Sequence, residues 1–166
     1  MTTNDSILIR RAEPGDESAL GWLGAALVRA HHAFDALRFL TPGAGLEDGY
    51  AHFLRTQLAE EDVAIFVAER AGAVVGYVYA GIEPRSWKEL RDVAGFIHDV
   101  VVDPAARGAG VGTRLIETAA AWLASRGVAR VMLWTAEENV DAQRLFEHLG
   151  FRRTMIEMTR EVAAND

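Results

Sequence analysis

The residues best placed to do chemistry are glycines in the second half of the chain. Three of them alternate with other residues across Arg107–Thr113, between the apolar run Phe96–Val102 and a long helical pattern that Thr113 opens. The apolar run is rich in β-branched residues and predicts a buried strand, which ends at Pro104 because proline has no N–H donor. Glycines between a strand and a helix let backbone N–H groups approach an anion, and the helix dipole adds partial positive charge. The segment therefore predicts a phosphate-binding loop.

The spacing of these glycines distinguishes three kinds of phosphate loop. A Walker loop requires a lysine before its Ser or Thr, and here Gly112 directly precedes Thr113. A dinucleotide-binding fold requires G-x-G-x-x-G directly after a strand, and here the third glycine comes one residue early. The third pattern, Arg/Gln-x-x-Gly-x-Gly/Ala, is met in register by Arg107, Gly110 and Gly112. The third pattern fits best.

Together with the Val-Val-Asp-Pro that precedes it, this loop resembles the acetyl-CoA-binding motif of the GNAT superfamily of N-acetyltransferases. A second segment, Asn139–Phe151, resembles the family signature Asn-x-x-Ala-x-x-Leu-Tyr-x-x-x-Gly-Phe, and Ile9–Ala12 is similar to the opening strand. The two motifs occur in the family's order, with a helix and a strand between them. The resemblance covers nearly the whole chain and implies a GNAT fold that uses acetyl-CoA as co-substrate.

The resemblance also implies which residues bind the cofactor. Backbone N–H groups of the glycine loop would hold the pyrophosphate, and main-chain groups of Val100 and Val102 would pair with the pantetheine amides. The family position of Asn139 often contacts the cofactor, although helix capping alone would explain an asparagine there. The cofactor-binding residues that we expect are Val100, Val101, Val102, Arg107, Gly108, Ala109, Gly110, Val111, Gly112, Thr113, Asn139 and Phe146.

Attack of an amine on a thioester requires a proton acceptor. An alkyl ammonium with a pKa of about 10 loses its proton at pH 7 at a cost of about 4 kcal/mol, so a base belongs near the acceptor. His98 and Asp99 lie on the predicted central strand and are the catalytic candidates, although a histidine bonded within the sheet explains His98 equally well. Strand alternation predicts that they point to opposite faces, so that at most one faces the acceptor. Glu69 and Glu83 are weaker candidates.

Phe146 departs from the family's pattern. Its position is commonly a tyrosine that protonates the leaving thiolate, and phenylalanine has no proton to donate. The thiolate, with a thiol pKa of about 8–9, could leave unassisted, or water, Tyr77 or Tyr79 could supply the proton. This residue favours one alternative, a non-catalytic module that binds acyl-CoA and serves in regulation.

The whole sequence predicts one domain, residues 1–166, of the mixed α/β (α+β) class. Strands are expected at Ile7–Ala12, Val63–Glu69, Val74–Ile82, Phe96–Val102 and Arg130–Thr135, with one or two antiparallel strands in Phe151–Val162. Helices are expected near Glu17–Ala30, from Leu46 to Leu58, from Thr113 to Arg126 and from Val140 to Leu149. The expected GNAT fold is a single mixed central β-sheet of six to seven strands flanked by about four helices, in which the two parallel strands splay apart.

Composition limits the partners. The chain has 24 acidic and 17 basic residues and a net charge of −7, which argues against nucleic-acid binding and would attract a cationic amine. No apolar run approaches the ~20 residues of a membrane span, and the first residues lack a signal peptide, so we expect a cytoplasmic protein without a membrane partner. There is no cysteine, and His31-His32 has no partner at ligand spacing, so we expect no metal.

These observations together predict an acetyl-CoA-dependent acyltransferase. The expected reaction moves the acetyl group to a primary amine by direct attack in a ternary complex, and the acceptor is a small molecule or a peptide. We expect the acceptor pocket where the family varies, at His31, His32, Phe34, Phe39 and Trp87. Family members often form homodimers, and no feature of this sequence decides whether this chain does.

Overall fold

The computed structural model describes residues 6–163. In this part of the chain one five-stranded sheet has the order β1-β2-β3-β4-β5. The strands are β1 Ile7–Arg11, β2 Val63–Arg70, β3 Ala73–Glu83, β4 Ala94–Val102 and β5 Val131–Leu133. Neighbouring strands are antiparallel except β4 and β5, which are parallel. The α-helices are α1 Glu17–Phe34, α2 Leu46–Leu58, α3 Val111–Ser125 and α4 Val140–His148.

The two faces of the sheet carry separate layers of helix, because side chains alternate between the faces of a strand. One face packs against α3 through residues such as Val78, Ile97 and Leu115. The other face packs against α1 and α2 through residues such as Leu20, Leu54 and Tyr77. The result is a mixed α/β sandwich, and the predicted fold class is confirmed.

Glycines in α1 allow α2 to lie unusually close. A Cβ atom on Gly24 would lie 2.0 Å from Cδ1 of Tyr50, and one on Gly21 would lie 2.4 Å from the carbonyl oxygen of Glu47. A side chain at Gly24 would require the Tyr50 ring to move, and one at Gly21 would require the backbone of α2 to move. The close approach fixes the ring of Tyr50 between α1 and the sheet.

Two details of the expected architecture were wrong. The described residues form five strands rather than six to seven, because Phe151–Val162 contains no strand. A further strand would have to pair with the edge strand β5, which is three residues long and offers few main-chain partners. The helix α3 begins at Val111, two residues before Thr113, because Gly110 adopts a left-handed φ of 73° and serves as its N-cap.

None of the helices in residues 6–163 is both long and apolar enough to cross a membrane. Within the same residues, no group of three or more His, Asp or Glu side chains is arranged to hold a metal ion. That all 166 residues form one domain stays a prediction.

Candidate active site

A cleft opens where β4 and β5 stop pairing. The ladder between these parallel strands ends at Ile97 and Leu133. Beyond that point lies a cleft of about 260 Å³, whose walls come from α1, the loop after it, α2, β4, the end of β5 and α4. The predicted site residues that line it are His98, Asp99, Val100, Asn139 and Phe146.

The edge of β4 presents main-chain groups to this cleft. The N–H of Asp103 donates to Val75 on β3 at 2.8 Å, and backbone groups of successive residues in a strand point to alternate sides. The main-chain N–H and C=O groups of Val101 therefore point towards β3. Those of Val100 and Val102 point to the opposite edge of β4, where β5 no longer pairs with it. The carbonyl oxygen of Val102 accepts from Nε of Arg107 at 3.2 Å, so Arg107 braces the end of the strand. The N–H and C=O of Val100 and the N–H of Val102 have no hydrogen-bond partner among residues 6–163 and could bind a ligand.

The glycine loop places further N–H groups at the end of this edge. Gly108 and Gly110 have φ values of 80° and 73°, in the left-handed region that favours glycine. The first bond within α3 joins the N–H of Arg114 to the carbonyl of Gly110 at 3.1 Å, so the N–H groups of Val111–Thr113 have no acceptor in the helix. This turn is suited to an anion.

The start of α3 also lies beside α4. A Cβ atom on Gly112 would lie 3.4 Å from Cδ2 of Leu145 and 3.8 Å from Cγ2 of Val102. The adjacent residue on α4, Phe146, lines the cleft. The glycine turn and the cleft are thus neighbouring parts of the structure.

A β-bulge in β4 determines where His98 and Asp99 point. Tyr79 is opposite Asp99 and Ala80 is opposite Ile97, so His98 is an extra residue on β4. The bulge removes the alternation between the two candidates, and both side chains line the cleft. The prediction that they point to opposite faces was wrong, because a bulge cannot be recognised from alternation within one strand.

Asp99 is held by two tyrosine hydroxyls. The hydroxyl of Tyr50 donates to Oδ2 of Asp99 at 2.6 Å, and that of Tyr77 donates to the same oxygen at 3.0 Å. Burial raises the pKa of Asp99 above its usual range, and the two hydrogen bonds offset part of that rise. Burial and the neighbouring carboxyl raise the pKa of Tyr50 far above its usual value. Both hydrogen-bond donors to the carboxyl group are therefore neutral, and His98 and His31 also act to lower its pKa.

His98 is oriented by Glu83. Its Nε2 lies 3.0 Å from Oε1 of Glu83, and its ring packs on the ring of Tyr79 with centroids 4.7 Å apart. Glu83 thus holds the imidazole, whereas Glu69 pairs at 3.0 Å with Arg10 of β1, the edge strand furthest from the cleft. The hydroxyl of Tyr79 donates to Gln57 at 2.9 Å, and burial raises the pKa of Tyr79 to about 12.

The start of α4 carries the second predicted motif. The Asn139 side chain accepts from the N–H of Ala142 at 3.3 Å, so the predicted helix cap is confirmed. Phe146 is 6% exposed and meets the ring of Phe151 edge-on at 6.0 Å. Its ring is a packed apolar wall of the cleft.

Only some of the residues that the sequence predicted for the acceptor pocket line the cleft. His31 and Phe39 line the cleft, while His32, Phe34 and Trp87 do not. Sequence reasoning missed Tyr50 and Trp134, which do line it. In the sequence Tyr50 is only one of several apolar residues on the packing face of α2, and no local signal marks its hydroxyl.

Comparisons with known proteins agree with this geometry. Residues 23–151 match the family described as Acetyltransferase (GNAT) family. A mycothiol acetyltransferase of Thermomonospora curvata is 35% identical over 168 residues, which cover 95% of this chain and 48% of that protein. The chain spans about half the length, or less, of the curated relatives it matches.

Solved structures share the fold. An aminoglycoside N-acetyltransferase in complex with CoA superposes with a TM-score of 0.74 at 19% identity, covering 99% of this chain and 99% of that one. Glucosamine-6-phosphate N-acetyltransferase from Arabidopsis thaliana superposes with a TM-score of 0.67 at 24% identity, covering 95% of this chain and 99% of that one. The family match covers well over half of the sequence, and so this chain belongs to the GNAT family of acetyltransferases.

Proposed function

We propose that this protein is an N-acetyltransferase that moves the acetyl group of acetyl-CoA to a primary amine by direct attack in a ternary complex. The observation that carries this proposal is the unpaired edge of β4 at Val100 and Val102, which leads to the glycine turn at the start of α3. The edge offers main-chain groups to the pantetheine amides, and the turn offers N–H groups to the pyrophosphate. Family membership and the CoA complex of a structural neighbour support the same cofactor.

The proposed base is His98, with Asp99 beside it. Since Nε2 of His98 faces the Glu83 carboxylate, Nδ1 is the nitrogen that can accept a proton from the acceptor. The ammonium first loses a proton to His98, and its neutral nitrogen then forms a bond to the thioester carbonyl carbon. As the carbon–sulfur bond breaks, the nitrogen loses a second proton to water, which leaves a neutral amide. In this proposal an N–H of Val100 or Val102 stabilises the developing oxyanion, a contribution of about 3 kcal/mol in other enzymes. The thiolate leaves and takes its proton from solvent.

One observation favours the non-catalytic alternative. Phe146 is packed into the cleft wall and brings no hydroxyl to the leaving group. A thiolate with a thiol pKa of about 8–9 is a competent leaving group at pH 7, so the proposal does not require an acid there. A chain that binds acetyl-CoA but releases no thiol with any amine would be the regulatory module instead. Phe146→Tyr is the informative companion, because it restores the hydroxyl of the family pattern.

Calorimetric titration with acetyl-CoA, with NAD as control, tests the cofactor. We expect a dissociation constant in the micromolar range, about −8 kcal/mol, and no heat with NAD. Gly110→Asp should abolish binding, because it adds a side chain and a negative charge where the pyrophosphate is expected. Gly127→Asp is the matched control: Gly127 has a φ of 83°, lies at the other end of α3, and has open space beside it.

Three results of this titration have different meanings. Binding by wild type and Gly127→Asp but not by folded Gly110→Asp supports the loop assignment. Unaltered affinity in Gly110→Asp contradicts that assignment. No heat and no thermal stabilisation with acetyl-CoA in the wild type would overturn the proposed function itself.

A further inference from the structure

In the described part of the chain, the lining of the cleft has one acidic side chain and neither lysine nor arginine. Among the described residues that line it, Asp99 is the one carboxylic acid, and none is Lys or Arg. The other ionisable groups facing Asp99 are Tyr50 from α2, Tyr77 from β3, His98 from β4 and His31 from α1. An acceptor therefore meets a site that can neutralise a positive charge but offers no lasting positive charge to an anion.

Two arginines close to the cleft lining already have carboxylate partners: Arg38 precedes the lining residue Phe39, and Arg91 lies over the ring of Phe96 on β4. Arg38 follows α1 and pairs with Glu157 of the C-terminal segment, with one hydrogen bond of 2.9 Å. Arg91 donates to Glu89 at 2.7 Å and to the carbonyl oxygen of Pro84 at 3.0 Å. An anionic group on the acceptor would have to displace these partners to reach either guanidinium.

Asp99 has one oxygen left for a ligand. Both tyrosine hydroxyls donate to Oδ2, and no described residue donates to Oδ1. The hydroxyls orient the group without cancelling its charge, unlike an arginine partner. A charged donor brought by the acceptor would complete the site, and a primary ammonium is such a donor.

The mouth of the cleft is apolar although it faces water. Leu40 is 74% exposed and Trp134 is 72% exposed, and both line the cleft. Leu27, Val28 and Phe39 extend the same apolar lining. Exposed apolar side chains that converge on one cleft fit a ligand with an apolar body.

Resting on the proposed function, we propose that the acceptor is an apolar-bodied primary amine with no carboxylate or phosphate next to its amino group, and that Asp99 binds its ammonium through Oδ1. Arylalkylamines represent this class, whereas free amino acids and sugar phosphates fall outside it. Asp99 then determines specificity, because an anionic group beside the amine would approach it without a compensating cation.

Three matched acceptors test the class. Phenethylamine has the required form, phenylalanine adds a carboxylate at the carbon that bears the amine, and phenylalaninamide replaces that carboxylate by a neutral group of similar size. Thiol release should give a kcat/KM for phenylalanine about 100-fold below that of either other amine, from repulsion at roughly 6 Å in an effective dielectric of about 20. The amide separates the effect of charge from the effect of size.

Substitutions at the mouth test the role of charge directly. Leu40→Arg adds a cation at an exposed lining position and should raise kcat/KM for phenylalanine about tenfold while lowering that for phenethylamine. Leu37→Arg is the matched control, because Leu37 is equally exposed on the same loop but does not line the cleft. In Asp99→Asn the discrimination between phenethylamine and phenylalanine should collapse, which a merely structural role would not produce.

The outcomes separate this inference from the proposed function. Failure of acetyl-CoA to bind overturns the proposed function. If acetyl-CoA binds and phenylalanine reacts within about threefold of phenethylamine, the inference is wrong and the cofactor assignment stands. If acetyl-CoA binds but phenethylamine neither binds the CoA-saturated protein at millimolar concentration nor releases thiol, the inference is likewise wrong.

Discussion

Two carboxylates withdrawn from solvent, Asp16 and Asp99, occupy opposite kinds of environment in this protein. Asp16, before α1, is 7% exposed and accepts two hydrogen bonds from the Arg10 guanidinium, at 2.7 and 3.0 Å. It also accepts from the N–H of Glu13 at 2.8 Å. Asp99 receives only hydroxyl donors, and one of its oxygens has no donor among the described residues. The first carboxylate has an arginine partner, and the second is oriented by neutral donors without a Lys or Arg partner among the described residues.

The pKa shifts follow from this difference. The Arg10 guanidinium holds the pKa of Asp16 below its usual range, despite burial. Burial raises the pKa of Asp99, because hydroxyl groups offset only part of the desolvation. A carboxylate paired with arginine stabilises the fold, whereas one left with neutral donors keeps its capacity to bind a charge or take a proton. The contrast predicts that substitutions at the two positions have opposite consequences.

The largest effect is expected from Asp99→Asn. The asparagine oxygen can still accept from both tyrosines, so the fold should be retained and the melting temperature should be unchanged or higher. Loss of the charge should lower kcat/KM for an amine about 100-fold, since hydrogen bonds to charged groups contribute about 1.5–3 kcal/mol. Thiol-release kinetics and thermal unfolding on the same sample measure both. A large drop in melting temperature would assign Asp99 to stability instead.

Asp16→Asn should show the reverse pattern. It removes the charge that Arg10 compensates and should cost about 2 kcal/mol of unfolding free energy. Asp16 does not line the cleft, so kcat/KM at a temperature where the variant is folded should stay within about twofold of wild type. Urea unfolding provides the free energy. A variant as stable as wild type would show that the ion pair contributes no net stability.

Tyr50→Phe should have a smaller effect. It removes one of the two donors to Asp99 while keeping the ring against Gly24, and the lost hydrogen bond is one that lowers the pKa of Asp99. The acidic limb of the pH–rate profile should therefore move to higher pH, with kcat/KM at neutral pH about tenfold lower. His31 and His98 also face this carboxyl, so His31→Gln serves as the control for a general electrostatic change. An unmoved acidic limb would exclude Asp99 from the ionisation that controls the rate.

Local sequence signals predicted one part of the site and missed another. The glycine turn and the Asn139 cap were predictable, because each depends on residues close together in the chain. The Tyr50 hydroxyl and the bulge at His98 were not, because both depend on register and packing between elements distant in sequence. The strand predicted in Phe151–Val162 is absent for the same kind of reason. Its residues favour a strand, but a strand forms only where the edge of another strand is available for pairing.

The smallest effect is the pH dependence of stability, and here the two carboxylates should differ in sign. The folded-state pKa of Asp16 is lowered. Its contribution to the free energy of unfolding is therefore present above the unfolded pKa of about 3.8 and is lost as pH falls through the folded pKa. The folded-state pKa of Asp99 is raised. Its contribution to the free energy of unfolding is therefore fully present below the unfolded pKa of about 3.8 and is lost as pH rises through the folded pKa. Each effect amounts to about 1.4 kcal/mol per unit of pKa shift.

Unfolding free energies of wild type and both asparagine variants between about pH 3 and about pH 7 measure this difference. The advantage of wild type over Asp16→Asn should shrink as the pH falls, because protonation removes the ion pair in wild type as well. The stability of Asp99→Asn relative to wild type should instead grow as the pH rises, because only wild type then ionises a desolvated carboxyl. Parallel curves for the two variants would mean that both carboxylates are equally compensated, which the hydrogen-bond partners of Asp16 and Asp99 argue against.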